Sequence, residues 1–296
     1  MEMFIGGLLA LLYLPLLWHW VDGWLNKSIS IQHEYFSHGL LGIPFALYLA
    51  WGARSRWRQL DDRLHPAGVA CFGLAIVFYS SGTSDLMNLS LPLMLIGLCW
   101  LLKGTAGLKL QAFPLLLIGL ATPTQLPYLI EPYILPLQRF IAAIAGFILL
   151  QLGIDVEVNE IYLAVNQQLV EVAPHCAGLK MLFTSFYMGL ILTYWTGLYL
   201  SKIRTGLFFV GIIIVSVTGN ILRNTILSFF HGHSMESAFH WLHESWGGDL
   251  YSAAMLGSLI LLVRLIEQFV PTQLKLQTAE PMVACPSSQP RPPYDF

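Results

Sequence analysis

Nine stretches of this chain are apolar over a length that approaches the roughly 20 residues a helix needs to cross a bilayer. They are 4–24, 38–53, 66–83, 86–102, 110–121, 134–153, 176–200, 205–230 and 250–270. Lipid offers the backbone no hydrogen-bonding partner, so segments of this kind satisfy their own N–H and C=O groups as helices. The charged share, 11% of 296 residues against about a quarter in soluble proteins, points the same way. The expected fold class is an all-α polytopic membrane protein. Its net charge of −2 provides no field that would draw in nucleic acid, which is not expected as a partner.

The few charges mark the sides of the membrane. Arg54, Arg56, Arg58 and Arg63 define one cytoplasmic loop, Lys103 and Lys109 a second, Lys202 and Arg204 a third, with Arg264 and Lys275 near the end of the last helix. Between the second and third loops the number of crossings must be even, yet three apolar runs lie there. The run 134–153 is expected to lie in the interface: Pro136, Gln138 and Arg139 break its first turns, and TPTQLPYLIEPY before it is rich in proline and aromatics. Alternatively the short run at 110–121 is the re-entrant piece. About eight transmembrane helices then remain, both termini are cytoplasmic, and the loops 25–37, 122–174 and 231–249 face outside. Residue 176 is exoplasmic on either alternative.

The N-terminus lacks a basic region and a small-residue cleavage site, so it reads as a first transmembrane helix and not as a removed signal. In DVEVNEIYLAVNQQLVEVA, 155–173, polar residues alternate with Val, Ile, Leu and Tyr around a polar NQQ, the pattern of a small exoplasmic β-hairpin. The segment 271–296, with PSSQPRPPYDF, is expected to be a disordered cytoplasmic tail, which leaves 1–270 as the membrane domain.

Candidate chemistry gathers at the exoplasmic side. In VAPHCAGLKM, 172–181, Cys176 stands where a polar segment runs into an apolar helix. The first turn of a helix leaves N–H groups unpaired and carries partial positive charge, which favours a thiolate. Pro174 suits a helix start, Lys180 four residues on adds a positive charge, and Gly178 leaves room for a substrate backbone. The plain alternative is a small buried residue at a helix end. Cys71 and Cys99 sit in apolar runs and Cys285 in the tail, so no disulfide framework is suggested.

Arg223, in TGNILRNTIL, lies seven residues before the expected outer end of its helix, about 10 Å below the boundary. An intramembrane guanidinium faces a polar cavity or a partner, or else snorkels to the interface; Asn220 and Asn224 make its surroundings polar. The following HGHSMESAFHWLHESWGGD holds His231, His233, His240 and His243. These could chelate a metal, with His240 and His243 at helical i, i+3 spacing. However, HESWG lacks the second histidine of a zinc-protease HExxH, and His33 and His38 are five apart. The competing use is one histidine as general acid and base to Cys176, with no metal or other cofactor.

Cys176 in APHCAGLKML, Arg223 in GNILRN and His243 in HESWGG resemble the Cys, Arg and His motifs of the exosortase/archaeosortase family of membrane transpeptidases. YFSHGLLGIPFALYLAW and FPLLLIGLATPTQLPYLIEPYILPLQ resemble further family motifs, so the likeness covers about 35–270, and it is nearest to the cyanobacterial subgroup, the cyanoexosortases, of the B type. Ala177 departs from the Ser that many members carry after the Cys. The resemblance implies a cysteine peptidase and transpeptidase in the plasma membrane. Its partners would be exported proteins ending in a sorting signal: a Pro-Glu-Pro motif, a transmembrane helix and a basic end. It would transfer their new carboxyl ends to a surface acceptor, an exopolysaccharide or a lipid. By the same resemblance Cys176 is the nucleophile, His243 the general acid and base, and Arg223 the oxyanion stabiliser, with Lys180, Gly178 and Asn220 supporting. Two other classes stay open: a transporter or channel lined by Arg223 and the histidines, and a metal-dependent membrane hydrolase.

Overall fold

The computed structural model describes residues 2–26, 35–172, 178–243 and 245–270. Twelve α-helices are defined among them. These are α1 (Glu2–Leu25), α2 (Gly39–Gly52), α3 (Arg54–Gln59), α4 (Pro66–Tyr79), α5 (Ser84–Leu110), α6 (Ala112–Ala121), α7 (Leu126–Ile130), α8 (Leu135–Gln151), α9 (Leu179–Thr196), α10 (Lys202–Gly232), α11 (Glu236–His243) and α12 (Trp246–Phe269). Strands β1 (Val156–Asn159), β2 (Tyr162–Val165) and β3 (Gln168–Glu171) lie between α8 and α9. Four helices among the described residues are long and apolar enough to cross a membrane: the part of α1 from Gly6 to Leu25, α5, α10 and α12. Shorter apolar helices, α2, α4, α6 and α8, accompany them, so the chain is an all-α polytopic membrane protein with a small sheet.

The break inside α5 has a definite cause. Gly104, at φ 61 and ψ −156, adopts a backbone conformation essentially reserved for glycine. Pro92 and Ile96 before it share a cavity wall with Leu115, Leu116, Gly119 and Leu120 after it, so the chain doubles back at this residue. The apolar run expected at 110–121 therefore begins within the returning arm, and Lys103 and Lys109 flank the reversal. Lys103 is buried and its ammonium is held by the Leu60 carbonyl at 2.8 Å and the Asp62 carboxylate at 2.6 Å.

At the other end of the chain Arg204 donates through Nε to the Val270 carbonyl at 2.7 Å, tying the start of α10 to the end of α12. These two helices are thus antiparallel neighbours, with Phe208, Ile212, Leu259 and Val263 packed between them. Trp20 of α1 donates to Asn88 of α5 at 2.7 Å, and the Asn88 amide donates to the Pro123 carbonyl at 3.0 Å, so a buried polar pair is fully used to fasten α1.

The expected hairpin carries a third strand. The antiparallel order is β1-β2-β3, with Asn159 opposite Tyr162 and Val165 opposite Gln168. Asn166 and Gln167 both have positive φ, the mirror-image turn whose twist suits a two-residue hairpin loop. The other turn rests on Glu160 at φ 55, a residue with no turn signature of its own. The sheet packs on α8 and α10, where Leu163 and Val165 join a core with Ile141, Ala145 and Leu149. Run 134–153 is thus an α-helix that packs along α10 and supports the sheet, its Gln138 amide donating to the Val172 carbonyl at 2.9 Å.

Candidate active site

Cys176 lies outside the described residues, as do His33 and the segment 271–296 with Cys285. What the structure describes is the frame on either side of residue 176. Val172 ends the exit from β3, fully buried, and Gly178 opens α9. Gly178 is the N-cap of that helix, at φ 87, and no side chain caps it. The helix begins at Leu179, three residues later than the apolar run suggests, with the left-handed Gly178 immediately ahead of it. Lys180 sits half-buried in the first turn of α9.

Beneath Gly178 lies Asn220 of α10, 1% exposed. A Cβ added to Gly178 would stand 2.8 Å from both Cγ and Nδ2 of Asn220, so only glycine permits this approach. Neither Nδ2 nor Oδ1 of Asn220 has a hydrogen-bond partner among the described residues. Ser216, one turn earlier, is also buried with its hydroxyl unpartnered among them, and both residues line a cavity of about 10 Å³ together with Gly178, Leu137 and Leu182. Asn224, one turn later, donates its amide to the Asn220 carbonyl at 2.9 Å. The polar residues 216, 220, 224 and 228 thus recur at the four-residue spacing that puts them on one side of α10, all buried and running from its middle toward its C-terminal end.

Arg223, on the turn after Asn220, is half-buried, and its Nε has no hydrogen-bond partner among the described residues. It faces α12, where the Tyr251 hydroxyl lies within its electrostatic reach and donates to the Gly219 carbonyl. Tyr251 is a neighbour of Arg223 that the sequence did not announce. Ser216 could have been found, because it continues the spacing of Asn220 and Asn224 by one step.

His243 is the last residue of α11, a short helix packed on both α10 and α12. Its ring stacks on Phe239 at 5.3 Å and 12°, and the same phenylalanine contacts His231 at 5.5 Å and His240 at 5.9 Å. His233 is turned away, with Nδ1 2.9 Å from the Phe229 carbonyl. Three histidines are thus gathered around an aromatic ring. Among the described residues no group of three His, Cys, Asp or Glu side chains is placed to hold one metal ion. His38 belongs to a different part of the molecule, its Nε2 3.2 Å from the Leu120 carbonyl and its ring on Tyr187.

The Trp241 and Trp246 rings meet edge to face at 5.2 Å across the junction of α11 and α12, and Gly247 packs against the Trp241 carbonyl, where a Cβ would come within 2.6 Å. The GG of HESWGG thus serves close packing, which fixes where α11 ends. The structure brings Gly178 and Asn220 into contact, sets Arg223 one turn away, and presents His243 on the helix joining α10 to α12.

No curated protein and no solved structure matches the chain. A family model described as transmembrane exosortase matches residues 24–260, which takes in every element of the site and four fifths of the length. The chain belongs to the transmembrane exosortase family.

Proposed function

We propose that this protein is a membrane cysteine peptidase and transpeptidase. It cleaves the C-terminal sorting signals of exported proteins, with their Pro-Glu-Pro motif, transmembrane helix and basic end, and passes the new carboxyl end to a surface acceptor, an exopolysaccharide or a lipid. On the same motifs its nearest subgroup is the cyanobacterial B type. The active site faces the exoplasmic side of the plasma membrane.

The observation that carries this reading is the contact between Gly178 and Asn220, one turn from Arg223. Two peptide units separate Cys176 from Gly178 and span at most about 7 Å, so the thiol belongs to the same neighbourhood as the Asn220 amide. In the reaction His243 takes the proton of the Cys176 thiol, and the sulfur attacks the scissile carbonyl carbon. A C–S bond forms and the π pair moves onto oxygen, where Arg223 stabilises it. Collapse breaks the C–N bond, the imidazolium returns its proton to the leaving nitrogen, and a thioester remains. An acceptor amine or hydroxyl, giving its proton to His243, attacks that thioester. The thiolate leaves and recovers the proton. Lys180, in the first turn of α9, adds positive charge near the thiolate.

The test is client processing in membranes with Cys176→Ala, alongside labelling by a membrane-impermeant thiol reagent. Loss of processing at normal accumulation, with labelling of Cys176 from outside and sparing of Cys71 and Cys99, is the expected result. Processing by the alanine variant removes the nucleophile and the reading with it.

A further inference from the structure

Among the buried polar groups that the mechanism above leaves unused, Asn220 is the one that touches Gly178. Asn220 is 1% exposed and its amide makes no hydrogen bond among the described residues through either atom. Buried amides are ordinarily paired, because an unmade hydrogen bond forfeits hydration without replacement. A donor kept in this condition is preorganised for something that arrives later.

Its position says what arrives. The Asn220 amide abuts Gly178, the uncapped N-terminus of the 18-residue helix α9, at the separation where a single carbon on residue 178 would collide with it. Helix N-termini offer unpaired N–H donors and partial positive charge to an anion. The cavity that Asn220 shares with Gly178 and Ser216, about 10 Å³, has room for one atom and none for a side chain. A one-atom recess that collects a side-chain donor and a helix N-terminus, two residues from the proposed nucleophile, suits an oxygen bearing developing negative charge.

We infer that Asn220 is a further catalytic residue, whose Nδ2–H donates to the carbonyl oxygen of the scissile peptide as it becomes an oxyanion. It acts together with the partial positive charge at the N-terminus of α9 and with Arg223, the stabiliser named above. This assignment rests on the peptidase reading and specifies its second oxyanion donor. The same atom is served in both half-reactions, since thioester formation and thioester cleavage each pass through a tetrahedral oxyanion. Ser216, one turn below, closes the floor of the recess. Glycine is required at 178 because a Cβ there would collide with the Asn220 amide and push the donor out of place.

The test compares full-length wild type, Asn220→Leu and Asn220→Asp in membranes. Leucine keeps the volume and removes an unpaired buried amide, so it is expected to accumulate and to unfold at the wild-type temperature or above. Processing should fall on the order of 100-fold or more in kcat with KM little changed, as for the loss of one oxyanion donor. Asn220→Asp would set a carboxylate against the oxyanion and should be at least as inactive.

A second probe is a client-derived peptide aldehyde, which adds the thiol reversibly and places an alkoxide or hydroxyl oxygen where the oxyanion forms. Wild type should bind the aldehyde far more tightly than the matching alcohol, and the leucine variant should lose most of that preference. Normal kcat in Asn220→Leu, or an unchanged aldehyde preference, overturns the assignment while an inactive Cys176→Ala leaves the peptidase reading standing. An active Cys176→Ala overturns both.

Discussion

Gly178 and Asn220 are fitted to each other: the side chain the glycine lacks is the space that the asparagine amide occupies, 2.8 Å from where a Cβ would stand. Each explains a feature of the other that is unfavourable taken alone. The glycine holds φ 87, which L residues resist, and the asparagine is buried without partners among the described residues.

Gly178→Ala should therefore destabilise the protein twice over, by about 1–2 kcal/mol for the left-handed backbone and further for the forced displacement of Asn220. Unfolding in detergent, followed for Gly178→Ala in wild-type and in Asn220→Ala backgrounds, separates the two. The cost should be smaller when the asparagine is already truncated; full additivity would remove the contact as a cause.

Arg223→Lys keeps a positive charge and loses the planar fork of donors. Processing is expected to drop on the order of 100-fold or more, with normal accumulation. Tyr251→Phe removes the hydroxyl that bonds the Gly219 carbonyl beside Arg223. A smaller loss, about 10-fold, is expected in kcat. Near-normal turnover by the lysine variant would favour a snorkelling arginine.

His243→Ala should abolish processing, whereas His233→Ala, on a side chain turned to the Phe229 carbonyl, should be nearly silent, as should His231→Ala. His240→Ala is expected to be intermediate at most. Phe239→Leu removes the ring on which His243 stacks and should lower kcat several-fold without touching any ionisable group. Treatment with a chelator is expected to leave the wild-type enzyme active. Severe loss in three of the four histidine variants, together with chelator inactivation, would turn the reading to a metallohydrolase.

Gly104→Ala places a methyl group on a backbone at φ 61 and ψ −156. A Cβ there would make only ordinary contacts, the nearest with Arg63 Cβ at 3.5 Å, so the penalty is conformational, on the order of 1–3 kcal/mol. Lower thermal stability with unchanged processing per folded molecule is the expected pair of results.

The helical runs were legible because a bilayer leaves so little freedom: the apolar stretches lie largely within helices whose ends differ from theirs by four residues or fewer, apart from α5, which continues eight residues past 102. One of the smaller differences is informative. The run at 176–200 yields a helix from Leu179, because the left-handed Gly178 interrupts what composition makes continuous. Likewise 86–102 and 110–121 read as two spans with a loop between, whereas a single glycine reverses the chain with no loop at all. The third strand was hidden because Glu160 takes a positive φ without being Gly, Asn or Asp. Arg223, Asn220 and His243 stood out as polar residues in apolar or aromatic surroundings. Tyr251 did not, since a tyrosine near the end of an apolar helix is ordinary and only the packing of α12 on α10 gives its hydroxyl a partner.

The sheet has a further consequence, through what it fastens. Asn166, in the tight turn, donates to the Gly232 carbonyl at 3.1 Å, and Gln168 donates to the Ser234 hydroxyl at 2.9 Å, at the joint where α10 gives way to α11. The same third strand runs into Val172, which Gln138 clamps. One short ribbon therefore fixes the starting points of two arms, the stretch leading to residue 176 and the helix ending in His243, which are some 60 residues apart along the chain. It works as a spacer bar. Lengthening the turn at 166–167 by one residue would shift both anchorages at once, so a turn remote from the chemistry has the least tolerance for a change in length.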